Sequence, residues 1–332
     1  MPGKTGRASA LVVCTLLLAA ATGGAYWIES RRAPVIPTIA LIPQTSGAML
    51  WEVEHFGASV AAERANCRLY WNAPTSEIDA AGQISLIDKV VRGKYQGLVL
   101  APNHPLAIIA PVRRAMAAGL PVVIVSSPLG LPATSKLGYI VNDDQKMGEL
   151  AAAEVARLIH GKGSIALIGI GRYAPGVIDR AVAAEHFLGD RFPDIKVVSR
   201  QGWAYNTSRA EEVTRAALQS HPELKAILSF TAVSTRGVHA ALKGRRPQQG
   251  ISVVGCEQDS DLIGYIGTGE IGALLAENTY RMGYEAVGLI TKSLAGKPLP
   301  ARSVVPPVVI TKENLNSAEV SVFTRVSSAS RL

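Results

Sequence analysis

The chain has 332 residues, room for one large domain or two ordinary ones, with 48% hydrophobic and 18% charged residues. That balance supports a packed core and excludes a disordered chain, and its 31 glycines and 19 prolines follow no triplet period, which excludes a collagen-like one. The net charge is +8, but Lys4, Arg7, Arg31 and Arg32 against Glu29 put three of those charges into residues 1–32. The remainder is thinly basic, with only Arg113-Arg114 and Lys243-Gly244-Arg245-Arg246 clustered, so no nucleic-acid partner is expected. Three cysteines without a C-x-x-C pair exclude a disulfide scaffold and a zinc ribbon.

Residues 1–9 are short, polar and basic, and no charge occurs from Ala10 to Ile28. This is the pattern of an export signal, with Ala19-Ala20-Ala21 or Gly23-Gly24-Ala25 offering small residues for cleavage. An uncleaved membrane anchor is the other reading, because the apolar run nearly reaches spanning length. Both put the body outside the cytoplasm, in the periplasm or the extracellular space, away from most ATP- and NAD-dependent chemistry.

A Pro-containing linker at 33–37 leads into a body in which short apolar runs alternate with helical patterns. Thr38–Pro43, Gly97–Ala101 and Pro121–Ser126 read as buried parallel strands, with helices predicted over Met49–Ala65, Ile84–Gly93 and Leu106–Gly119. Beyond Asn142, strands are predicted at Ser164–Ile170, Lys196–Ser199, Ala226–Phe230, Ser252–Cys256 and Gly272–Ala276. Helices are predicted at Lys146–Ile159, Gly176–Arg191, Ser208–His221, Val233–Leu242 and Tyr280–Leu294. Such alternation implies a doubly wound α/β fold, and some ten strands exceed one ordinary sheet, so two parallel-sheet lobes are expected. Ligands of such sheets sit beyond the carboxyl ends of the strands. The polar, Ser-rich segment 317–332 reads as a flexible tail.

No catalytic constellation emerges, and no enzyme is expected. Gly169-Ile170-Gly171-Arg172-Tyr173-Ala174 matches a dinucleotide fingerprint formally, but the next strand ends in Ser199-Arg200 rather than an acid. It reads as a strand-to-helix turn, and no cofactor is predicted. The six histidines show no metal-ligand spacing, so no metal is predicted either. Cys67 and Cys256 read as small buried hydrophobes.

Several segments, taken in order, carry a resemblance. Thr38-Ile39-Ala40-Leu41-Ile42-Pro43 followed by Phe56-Gly57-Ala58 is similar to the opening of periplasmic sugar-binding proteins of the ribose-binding type. Val141-Asn142-Asp143-Asp144, Asp179-Arg180, His221-Pro222-Glu223-Leu224-Lys225-Ala226-Ile227, Val253-Val254-Gly255, Met282-Gly283-Tyr284-Glu285-Ala286 and Thr311-Lys312-Glu313-Asn314-Leu315 continue it over residues 38–315. The resemblance implies a type I periplasmic binding protein with a lactose-repressor-like core. A repressor would need a helix-turn-helix before the first strand, where the export signal stands instead.

This resemblance implies two lobes joined by three hinge segments: 38–140 plus 279–305, and 142–276 plus 307–316. It implies capture of a small carbohydrate-like ligand between them, and delivery to an ABC-type importer by a monomer. A ligand sensor signalling to a membrane receptor or kinase is the alternative. The pocket it implies, position by position, is Gln44, Leu50, Trp51, Ser126, Ser127, Arg180, Tyr205, Thr231, Glu257 and Glu277. Trp51 and Tyr205 are the expected covers for the faces of a sugar ring, and Arg180 and Glu257 the expected bidentate holders of hydroxyls. Ser126-Ser127 and Thr231-Ala232 depart from the Asp-Arg and Asn-Asp pairs usual there, which argues against ribose itself.

Overall fold

The structure is a computed structural model that describes residues 36–171, 175–202, 204, 206–243 and 250–329, the last six of these by backbone alone. The signal or anchor segment 1–32, the Arg172–Ala174 part of the glycine turn, and Tyr205 lie outside the described residues.

From Thr38 onward the chain runs β1 (Thr38–Ile42), α1 (Met49–Arg64), β2 (Arg68–Trp71), α2 (Ala80–Arg92), β3 (Gly97–Leu100), α3 (Ile109–Ala117), β4 (Val122–Ser126) and β5 (Leu137–Asn142). It continues through α4 (Asp144–Leu158), β6 (Gly163–Ile170), α5 (Pro175–Arg191), β7 (Ile195–Gly202), α6 (Thr207–Ser220), β8 (Leu224–Ser229), α7 (Ala232–Leu242) and β9 (Ser252–Cys256). Last come α8 (Ser260–Thr268), β10 (Ala273–Ala276), α9 (Thr279–Leu294), β11 (Arg302–Val305), β12 (Val308–Ile310) and α10 (Ala318–Ala329).

The strands form two sheets, ordered β11-β5-β4-β3-β1-β2 and β12-β10-β9-β8-β6-β7. Every neighbouring pair is parallel except β10 with β12. Strands β1 to β5 thus occupy the same places in the first sheet as β6 to β10 in the second, which is the two-sheet α/β architecture the alternation predicts. The chain changes sheet three times. After Asp143, α4 packs on β8, β9 and β10; after Glu277, α9 packs on α1, β3 and β4; and Pro306-Pro307 joins β11 to β12.

Both faces of each sheet are covered, so the inner strands are apolar throughout. In the first sheet Ile39, Leu41, Val99, Val123 and Ile140 face α1 and α9, while the alternate residues Ala40, Ile42, Leu98, Leu100 and Ile124 face α2 and α3. The second sheet is built the same way, with Ile165, Leu167, Leu228 and Val254 against α4 and α5, and Ala166, Ile168, Ile227 and Val253 on the other face.

Helix α1 is buried on two sides. Trp51 joins the core under the first sheet, while Val53 joins an apolar cluster of the second, together with Leu262 of α8, Ala276, Val308 and the α10 residues Val320 and Phe323. The segment expected to be a flexible tail is therefore corrected: it is helical through Ala329, and its Val320 and Phe323 are fully buried. The apolar pair three residues apart docks one face of the helix, which its many serines conceal. Strands β2, β5, β11 and β12 and helix α8 also lie outside the elements predicted from sequence.

Candidate functional site

The carboxyl ends of the strands deliver the polar residues. At the ends of β4 and β9, equivalent strands of the two sheets, the chain passes through left-handed residues, Ser126 with φ +63° and Glu257 with φ +65°. Such a backbone costs about 1–2 kcal/mol for a residue with a side chain. The Glu257 turn is held by its own N–H, which donates to the Leu275 carbonyl at 2.8 Å.

Arg180 comes from the second turn of α5 and is buried, with a side chain 4% exposed. Its guanidinium gathers three carboxylates that lie 36, 77 and 97 positions away in sequence. Nε donates to Asp144 Oδ1 at 2.6 Å, Nη1 to Glu257 Oε1 at 3.0 Å and to the Phe230 carbonyl at 3.3 Å, and Nη2 to Glu277 Oε1. Burial alone would lower the Arg180 pKa, but Glu277, Asp144 and Glu257 outweigh it and hold the group charged. Glu257 is raised to about 7: burial pushes it up most, Arg180 pulls it down, and Glu277 adds to the upward push. Its second oxygen accepts the Ala232 N–H at 3.1 Å, at the start of α7.

Helix packing sets this geometry. Helices α4 and α5 cross so closely that a Cβ on Gly148 would stand 2.1 Å from the Arg180 carbonyl oxygen, and one on Gly176 would stand 2.4 Å from Asp144 Oδ2. Glu277 is fixed just beyond β10 by Gln258, whose Nε2 donates to the Glu277 carbonyl at 2.8 Å and whose Oε1 accepts the Glu277 N–H at 2.9 Å. Glu277 Oε2, in contrast, is buried without a hydrogen-bond partner among the described residues.

The structure therefore brings together Arg180, Glu257 and Glu277 from the sequence-derived set and adds Asp144, which the sequence marks only as part of Asn142-Asp143-Asp144. It changes the expected role of Arg180: four contacts occupy four of the five guanidinium N–H groups, so the fork is not free to grip two hydroxyls.

The other residues have different surroundings. Trp51 is 2% exposed and packs in the first-sheet core, its Nε1 unpartnered among the described residues, so its ring does not present an open face. Leu50 packs against the same core, and its carbonyl accepts the Thr279 hydroxyl at 2.9 Å. Thr231 caps α7, its hydroxyl accepting the Ser234 N–H at 3.1 Å in a capping box. Gln44 is half-buried and ties the loop after β1 to the loop after β3 through Nε2 and the Pro102 carbonyl at 3.0 Å. Ser126 is half-buried and Ser127 exposed.

Two features escape the sequence. A cavity of about 620 Å³ opens beside the crossing from β5 to α4, lined by Asn142, Asp143, Asp144, Asp179, His186 and Arg302 among others. It shares Asp144 with the Arg180 cluster and includes none of the sequence-derived residues. Glu54 of α1 is 1% exposed with neither oxygen hydrogen-bonded among the described residues, and burial pushes its carboxyl up to about 8.

Comparison with known proteins places this architecture. A D-apiose import binding protein of Paraburkholderia graminis is 26% identical over 248 residues, 73% of this chain and 77% of the relative. The D-allose-binding periplasmic protein of Escherichia coli is 25% identical over 236 residues, 69% and 75% of the two chains. Among solved structures, a carbohydrate transporter solute-binding protein of Agrobacterium radiobacter in complex with D-arabinose matches with a TM-score of 0.75 at 20% identity, covering 88% of this chain and 99% of that one. A sugar ABC transporter sugar-binding protein of Bacillus halodurans matches with a TM-score of 0.78 at 21% identity, covering 84% and 98%. The family model described as "Periplasmic binding protein domain" matches residues 39–298, and the chain belongs to that family.

Proposed function

We propose that the chain is an exported solute-binding protein that captures a small carbohydrate-like ligand between two lobes and hands it to an ABC-type importer. The observation that carries this reading is the Arg180 cluster. A buried guanidinium, held charged, stands with carboxylates at the strand ends of the second sheet, and Glu257 keeps 26% of its side chain open. Carboxylate oxygens accept hydroxyl protons, and several such acceptors fixed by one cation give the directional polar contacts that a polyhydroxylated solute needs. The relatives named for apiose and allose support the same solute class.

The two lobes are assigned to residues 38–140 with 279–305 and 142–276 with 307–316, so that the ligand cleft is bounded by the Gln44 and Ser126-Ser127 loops on one side and the Arg180 cluster on the other. Binding, with no chemical step, is the activity proposed. The relatives' names, together with the signal-like or anchor-like N-terminal segment, support a periplasmic setting. The importer would meet the first lobe's loop tips, where Ile78 is 92% and Leu106 75% exposed on loops joined by the Asn103 amide and the Asp79 carbonyl at 3.0 Å.

A thermal-shift screen of the purified protein against pentoses, hexoses, polyols and amino sugars tests this. A ligand present at 100 times its Kd adds about 2.7 kcal/mol, a shift of several degrees. A shift that Glu257→Ala abolishes supports the assignment; a flat response across the whole panel sinks the carbohydrate reading.

A further inference from the structure

We propose that the solute this site selects is cationic, a polyhydroxylated amine of the amino-sugar or aminocyclitol class, with its ammonium group seated among Glu257, Glu277 and Asp144. The proposal rests on the solute-binding reading above and narrows its ligand class.

The argument is one of charge and of hydrogen-bond capacity. Around one guanidinium stand three carboxylates, each in direct contact with it. With all three ionised the cluster carries two uncompensated negative charges. Glu257, pushed up to about 7, gives back only part of one of them at neutral pH. Arg180 cannot offset more, and among the described residues no other Lys, Arg or His forms an ion pair with these three acids.

Glu277 Oε2 is a second, independent sign. It belongs to a side chain 5% exposed, its sister oxygen is bound to Arg180, and it has no donor of its own among the described residues. A buried carboxylate oxygen without a donor is costly, and an ammonium supplies both the proton and the charge that it lacks. A neutral sugar brings hydroxyl donors but leaves the charge in place. The guanidinium, with one N–H left, offers that sugar little in return.

Isothermal titration of the full chain with matched pairs tests this: D-glucosamine against D-glucose, D-galactosamine against D-galactose, and 1-amino-1-deoxy-myo-inositol against myo-inositol. All are measured at pH 7.0 in 20 mM and in 500 mM NaCl. The amine of at least one pair is expected to bind tenfold or more tighter than its neutral partner at low salt, and to lose that advantage at high salt. Glu277→Gln and, separately, Glu257→Gln are expected to narrow the ratio within the pair; two variants and the salt arm keep the test decisive if one variant does not fold. Neutral members that bind as tightly as their amines overturn the cationic assignment and leave the carbohydrate-binding reading standing. Binding of no member of any pair overturns the cationic assignment, while the carbohydrate reading stands or falls on the wider thermal-shift panel.

Discussion

Glu54 offers a test of the packing that needs no ligand. Its carboxyl is buried on α1 without a hydrogen bond among the described residues, and its pKa is pushed from 4.5 up to about 8. In the unfolded chain it titrates at the ordinary value. Between these two values the unfolded chain has given up a proton that the folded chain keeps. The stability contribution is therefore complete below the ordinary value, is lost progressively as pH rises, and levels off above pH 8. At about 1.4 kcal/mol per pH unit, the loss between pH 5 and pH 8 is about 3.5 kcal/mol. Glu54→Gln is neutral at every pH, so its advantage over the parent is small at pH 5 and about 3.5 kcal/mol larger at pH 8, on the order of 7 °C in Tm. Scanning calorimetry of both proteins at the two pH values reads this directly. An equal Tm difference at pH 5 and pH 8 would refute burial as the force acting on Glu54, and a variant that loses stability at pH 8 would mean that the carboxylate has a partner.

Arg180→Met leaves three carboxylates without their cation, and is expected to cost about 3–5 kcal/mol at pH 8, recovering in part as pH falls and Glu257 takes up a proton. Urea midpoints across pH 5–8 check it, and a pH-independent loss contradicts it. Phe323→Ala opens a cavity where the C-terminal helix meets the second-sheet core, and should lower stability by about 3–5 kcal/mol; a negligible change would show that α10 does not hold this contact in solution. Ser126→Gly, which relieves a left-handed backbone, is expected to change stability by no more than about 1 kcal/mol, whereas Ser126→Val at the same φ should destabilise clearly. Equal melting temperatures for these two variants would contradict the strand-end geometry.

The sequence made the inner strands legible because both faces of each sheet are covered, so Gly97–Leu100 and Val122–Ser126 appear as unbroken apolar runs. Edge strands carry no such mark: Arg68–Trp71 and Arg302–Val305 are mostly half-buried or exposed, and their composition shows it. Helix α8 hides behind its two glycines, although Asp259 caps its start. Trp51, expected against the ligand, lies in the first-sheet core instead, since α1 faces two cores at once and an apolar residue on it can belong to either. At the site, single residues were legible and their association was not. Arg180, Glu257 and Glu277 each follow from resemblance, but the saturation of the guanidinium depends on contacts across up to 97 positions, which no local spacing encodes.

The contact of α10 with α1 has a consequence for the order in which the molecule is made. Val53 and Phe323 share one apolar cluster although 270 positions separate them in the chain. Until the last helix emerges, the Val53 side of α1 has no covering from it, and the second-sheet core lacks its Val320 and Phe323. Contacts of such sequence separation form slowly, because a long loop must close before they return any stability. The second-sheet core is thus completed by the last helix of the described chain, and its stability arrives only when that helix docks.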